Sequence, residues 1–213
     1  MNAVQRIQEV GLVPVVRAGS ADEAFAAVEA IRAGGIPILE ITLTVPGAIE
    51  IIAELCRRTG DDCLVGAGTV LDAETAERCI DAGAKFVVSP SLDLPTIELC
   101  RRKAIPVFPG ALTPTEIVTA WKAGADAVKV FPAGAVGGPA YLKSVKAPLP
   151  QIRLIPTGGV SLKTAAEFIA AGAFALGVGA DLVDLGALRR GDAAAITEKA
   201  REYVAVVAAA RGA

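Results

Sequence analysis

Short apolar runs recur along the chain, and between them apolar residues return every three or four positions. The runs suit strands buried on both faces, and the intervening spacing suits amphipathic helices. One phrase marks the joins: AGGIPILEI from Ala33, AGAKFVVSP from Ala82, AGADAVKVF from Ala123 and AGAFALGVG from Ala171. In each, glycine closes a helical pattern by taking the left-handed conformation, and an apolar run follows at once. The recurrence marks a repeated helix-to-strand unit. Strands are predicted at 12–16, 37–42, 64–66, 86–88, 105–108, 126–130, 153–155 and 174–178. Helices are predicted at 20–33, 46–58, 72–82, 93–103, 114–123, 138–146, 161–171 and 192–210, after a short leading helix at 2–9. Ser20 and Asp72 stand where N-caps are needed, with acids in the turn that follows, and Pro114 follows a Thr113 cap.

Eight strands alternating with eight helices through short loops predict the α/β class and a (β/α)8 TIM barrel with a short N-terminal helix. No composition break or linker interrupts residues 1–213, so one domain is expected, at the small end for such barrels. The alternative is a doubly wound open sheet. That fold usually carries G-x-G-x-x-G after its first strand, and VVRAGSADEA does not.

Charge narrows the partners. With 21 Lys plus Arg against 23 Asp plus Glu and no long basic run, no nucleic-acid partner is expected. No apolar stretch is long enough to span a bilayer, and MNAVQRIQEVG lacks the apolar centre of a signal peptide. A soluble cytoplasmic protein without membrane contact is therefore expected. Cys56, Cys63, Cys79 and Cys100 form no C-x-x-C pair and are expected to be structural thiols. The chain has no histidine, which removes the commonest general base and metal ligand. No metal and no other cofactor is expected, and the chemistry falls to lysine, carboxylates, hydroxyls and backbone groups.

Barrels keep their working groups at the C-terminal ends of the strands. Glu40 and Lys129 are each the one ionised side chain in an otherwise apolar strand end, on strands predicted to face each other across the barrel. A buried salt bridge with no further role is one reading. The other is chemistry: a desolvated lysine is a nucleophile towards carbonyls, and a neighbouring carboxylate moves protons. Phe131 and Pro132, directly after this strand, are expected to wall the amine off from water. TGGVS at 157–161 and GVGADL at 177–182 place glycines after the last two strands. Either loop alone reads as turn glycine; both together, where barrels bind phosphate, point to an anion site.

These residues belong to a longer ordered set: PVVRAGSADEA, GGIPILEITLTVPGA, VGAGTVLDAE, AGAKFVVSPSLD, PVFPGALTPTE, AVKVFPAGAVGGPAYLKSVKAP and LIPTGGVSLKTAAEFIAAGAFALGVGADLV. Together they resemble the 2-keto-3-deoxy-6-phosphogluconate (KDPG) aldolase family, whose members often also cleave 4-hydroxy-2-oxoglutarate. The resemblance implies a class I aldolase, usually homotrimeric and metal-free, acting on a phosphorylated keto acid and releasing pyruvate. It implies Lys129 as Schiff-base residue, Glu40 as acid/base, Thr69 and Arg17 on the substrate, and Gly158, Gly159, Gly179 and Ala180 at phosphate. Thr157 matches the gluconate-type PTGG, whereas phosphogalactonate aldolases tend to carry valine there. Two positions depart from the family pattern: Thr44, where some members have arginine, and Ala180, where serine is common. They place carboxylate binding on Arg17 and Thr69, and leave only a backbone N–H for phosphate at Ala180. A metal-dependent pyruvate aldolase, a non-catalytic phosphate-ligand binder and a phosphate-binding barrel isomerase or synthase are the competing functions.

Overall fold

A computed structural model of the protein describes residues 2–212. Its strands are β1 (Leu12–Val16), β2 (Ile38–Thr42), β3 (Leu64–Gly68), β4 (Val87–Val88), β5 (Val107–Phe108), β6 (Gly110–Ala111), β7 (Val128–Val130), β8 (Leu154–Pro156) and β9 (Leu176–Val178). Helices α1 (Ala3–Val10), α2 (Ala21–Ala33), α3 (Ala48–Thr59), α4 (Ala73–Asp81), α5 (Leu94–Arg102) and α6 (Pro114–Ala123) alternate with them. After β7 come a 3₁₀ turn (Ala133–Val136) and α7 (Gly138–Lys146); α8 (Leu162–Ala170) follows β8, and α9 (Leu185–Arg189) and α10 (Ala193–Arg211) follow β9. Local chemistry sets the helix starts. Ser20 accepts the Glu23 N–H, Asp72 accepts the Thr75 N–H, and Thr113 and Glu116 form a reciprocal capping box around Pro114.

The strands pair in parallel as a curled sheet, in the orders β5-β4-β3-β2-β1-β9 and β6-β7-β8. A parallel bridge between Thr157 and Gly177 ties the end of β8 to β9. The predicted fifth strand, 105–108, departs from expectation. It starts later and runs in two short pieces on either side of Pro109, which has no N–H to give to the ladder. Two further elements fall outside the sequence reading: the 3₁₀ turn and the five-residue α9 are both too short to show a period.

Alternation along the strands decides which side chains face inward. Val13, Ile38, Leu64, Val88, Phe108 and Ile155 share one buried cluster inside the curl. Ile7 of α1 is fully buried against it, with Ala3, Val4 and Val10 around it, so the leading helix closes the end where the strands begin. Leu39, Ile41, Val128 and Val130 point the other way, into the larger cluster shared with the helices. Glu40 lies two residues past Ile38 and Lys129 two past Ala127, both members of the inner cluster, so both face the interior, one step nearer the strand ends.

All four cysteines are free, and Cys79 and Cys100 are fully buried. Burial pushes the Cys79 thiol up to about 11 and the Cys100 thiol up to about 12. A thiolate is the reactive form, so a thiol reagent is expected to leave both unmodified in native protein and to reach them only after denaturant is added. Prompt native-state labelling of either would contradict this packing.

Candidate active site

The inner site consists of one amine and one carboxylate in an apolar chamber. Lys129 Nζ lies 3.7 Å from Glu40 Oε1, and their side chains are only 4% and 2% exposed. Val13, Val88, Phe108 and Ile155 line the space beside them, a gap of about 10 Å³. Glu40 Oε1 is buried without a hydrogen-bond partner among the described residues. A salt bridge kept for architecture would close to about 2.8 Å and satisfy its remaining lone pairs, because desolvating two charges is costly otherwise. The observed spacing instead leaves an acceptor unsatisfied beside an amine, which suits groups that meet a third partner between them. Lys129 Nζ also lies 5.4 Å from the centroid of the Phe131 ring, so that ring walls one side of the amine.

A glycine on the neighbouring strand makes room for the carboxylate. β2 pairs with β3 so that Thr42 stands opposite Gly68, and a Cβ on Gly68 would fall 2.1 Å from Glu40 Oε1. Gly68→Ala must therefore push the carboxylate aside. Misplacing a proton-transfer group by about 1 Å costs roughly 10²-fold in rate, and that loss in kcat is expected here. Unchanged kcat in folded Gly68→Ala would show that the carboxylate position is immaterial.

Thr157, itself buried, lines the chamber and also the larger cleft outside it, which measures about 350 Å³. That cleft brings together Arg17, Phe131, Thr157, Gly158, Gly159, Gly179 and Ala180, seven of the positions singled out in the sequence. Gly158 and Gly159 adopt φ of 80° and 81°, a left-handed pair that side chains other than glycine's rarely tolerate. Their loop is clasped from the 3₁₀ turn after β7: Ala133 N–H donates to the Thr157 carbonyl at 2.9 Å and Gly134 N–H to the Gly158 carbonyl at 2.8 Å. α8 begins just beyond, capped by Ser161, so the cleft faces the positive end of a helix. Arg17 is exposed at the rim and makes no ion pair among the described residues.

Thr69 lines neither space; it follows β3 directly, next to the Gly68 that packs on Glu40. It is half-buried with φ of 60°, a strained conformation for a β-branched residue. Thr44 is exposed, its hydroxyl 2.7 Å from that of buried Thr42. Sequence reading missed the chamber walls Val13, Val88, Phe108 and Ile155, which the inward alternation of each strand could have supplied. It also passed over Ser161 and Asp181, which line the outer cleft. Among the described residues, no three or more acidic, cysteine or histidine side chains gather to hold a metal ion. Among these residues, too, no helix is long and apolar enough to cross a membrane.

Residues 4–199 match the family described as KDPG and KHG aldolase. The 2-dehydro-3-deoxy-phosphogluconate aldolase of Dickeya dadantii is 36% identical over 194 residues, 91% of each chain. The 2-dehydro-3-deoxy-6-phosphogalactonate aldolase of Escherichia coli K12 is 37% identical over 176 residues, 82% of this chain and 85% of that one. The structure of KDPG aldolase from Legionella pneumophila, with pyruvate captured at low pH as a covalent carbinolamine intermediate, superposes with a TM-score of 0.87. Its identity is 30%, covering 94% of this chain and 97% of that one. With the match running through nearly the whole chain, and through both strand ends that carry the buried ion pair, this protein belongs to the KDPG and KHG aldolase family.

Proposed function

We propose that the protein is a class I aldolase that reversibly cleaves 2-keto-3-deoxy-6-phosphogluconate to pyruvate and glyceraldehyde 3-phosphate. The observation that carries this reading is the 3.7 Å approach of the Lys129 amine to the Glu40 carboxylate in a buried apolar chamber that shares Thr157 with the outer cleft. Lys129 attacks the C2 ketone; loss of water leaves a protonated Schiff base, whose nitrogen is the electron sink. Glu40 accepts the C4 hydroxyl proton, the C3–C4 bond breaks, and glyceraldehyde 3-phosphate departs. The remaining enamine takes a proton at C3, and water then releases pyruvate and restores the amine. Glu40 also moves protons while the Schiff base forms.

In this reading, phosphate sits on the Gly158–Gly159 and Gly179–Ala180 loops, and Arg17, at the rim of the same cleft, serves the substrate carboxylate together with Thr69. The chamber gap of about 10 Å³ is smaller than a keto acid, so side chains around it have to shift for the ketone to reach Nζ. The sheet is proposed to close as one eight-stranded barrel domain, with 107–111 counted as a single strand broken at Pro109 and the Thr157–Gly177 bridge completing the circuit. A homotrimer is proposed for the assembly, and the cytoplasm for its location.

Turnover on three substrates tests the function: the phosphogluconate, the phosphogalactonate epimer and 4-hydroxy-2-oxoglutarate. The highest kcat/KM is expected on the phosphogluconate, with lower but measurable cleavage of hydroxyoxoglutarate to pyruvate and glyoxylate. Preference for the phosphogalactonate would assign the chain to the other epimer. Because the Schiff base itself is the electron sink, activity is expected to survive EDTA; its loss on chelation would move the chain to metal-dependent chemistry.

A further inference from the structure

The outer cleft contains a carboxylate for which the mechanism has no use. Asp181 follows Ala180 directly and lines the cleft together with Arg17 and both glycine loops. An unattended carboxylate there would repel a phosphate group at close range. It is not unattended: Asp181 Oδ2 accepts a hydrogen bond from the Tyr203 hydroxyl at 2.5 Å. Tyr203 lies on α10 and is fully buried in the helix-side core. A phenol buried so deeply needs a polar partner, and Asp181 is the one it has among the described residues. Burial, and then the bond to Asp181, raise the Tyr203 phenol above its usual range, so it remains a donor wherever the enzyme would work. The turn that carries Asp181 is tight, because the Leu182 and Val183 N–H groups both donate to the Gly179 carbonyl, each at 3.0 Å. Asp181 is thereby held in one turn with Gly179 and Ala180.

We infer that Tyr203 is a positioning residue of the anion cleft: its hydroxyl draws the Asp181 charge away from the bound phosphate and holds the Gly179–Ala180 turn in place. The inference rests on reading the cleft as the phosphate site. It adds a link from the C-terminal helix to substrate binding, through a pair separated by 22 residues.

Steady-state kinetics of Tyr203→Phe on KDPG and on unphosphorylated 4-hydroxy-2-oxoglutarate test it. The ring still fills its site, so the expected change is confined to phosphate. KM for KDPG should rise about tenfold, the scale of one charge-assisted contact, with kcat unchanged. Both constants for hydroxyoxoglutarate should stay within about twofold, as for a change that adds no contact to that substrate. Adding Asp181→Asn to Tyr203→Phe removes the freed charge and should return the KM for KDPG towards the parent value. Asp181→Asn alone, which does not depend on how the tyrosine variant folds, should leave that KM no higher than in the parent. A merely structural tyrosine would change both substrates alike and would not be rescued by asparagine. Either result, or a raised KM in Asp181→Asn alone, overturns the inference. Inorganic phosphate separates the two levels. If it fails to compete with KDPG in the parent enzyme, the cleft reading falls and takes the inference with it. If it competes but Tyr203→Phe alters neither its inhibition constant nor the KM, only the inference falls.

Discussion

Lys129→Met is expected to lower kcat by roughly 10⁴-fold or more, the loss that follows when the group forming the covalent intermediate is removed. Methionine is close to lysine in length and suits the walls of Val13, Val88, Phe108 and Ile155, so the chain should fold with an unchanged circular dichroism spectrum. Stability should nevertheless drop. Glu40, 2% exposed, loses the one ionic partner it has among the described residues, and breaking a buried pair from one side costs about 3–5 kcal/mol. Lys129→Met/Glu40→Gln removes both charges and should restore much of the lost melting temperature while remaining inactive. Comparing activity and melting temperature of the two variants separates chemistry from architecture. Substantial turnover in folded Lys129→Met would mean that another group forms the carbon–nitrogen bond.

Glu40→Gln carries the second large effect. Glutamine fills the same space against Gly68, so the chamber geometry is kept while the proton acceptor is lost. General acid–base groups contribute about 10²–10⁴-fold, and kcat should fall by that amount. Lys129 should still form an adduct with pyruvate in this variant, though more slowly, since the carboxylate also moves protons during Schiff-base formation. Near-normal turnover of folded Glu40→Gln would reduce the pair to a structural salt bridge, the reading that the 3.7 Å spacing and the unpartnered oxygen argue against.

The parts of this protein that were legible in its sequence are those governed by neighbours along the chain. Caps at Ser20, Asp72 and Thr113 bond to N–H groups three residues ahead, so helix starts could be read directly. The period of two placed Glu40 and Lys129 on the inward side of their strands, and the two glycine loops, both read from position alone, line one cleft, where the anion site is proposed. What was not legible depends on which strand lies beside which. The need for glycine at 68 comes from a carboxylate on another strand, and the hydroxyl that holds Asp181 comes from a helix 22 residues on. Pro109 stood in plain view, but whether a proline breaks a strand depends on which N–H the ladder needs, and that is known only once β4 and β7 are in place. The left-handed backbone at Thr69 has no local signal either, since threonine ordinarily avoids it.

The most direct measurement is reduction with borohydride in the presence of pyruvate, followed by mass mapping of the peptides. The protein should gain one reduced pyruvate adduct, located on Lys129 and absent from Lys129→Met, with activity lost in step. An adduct on a different lysine, or none while aldol cleavage proceeds, would contradict the account.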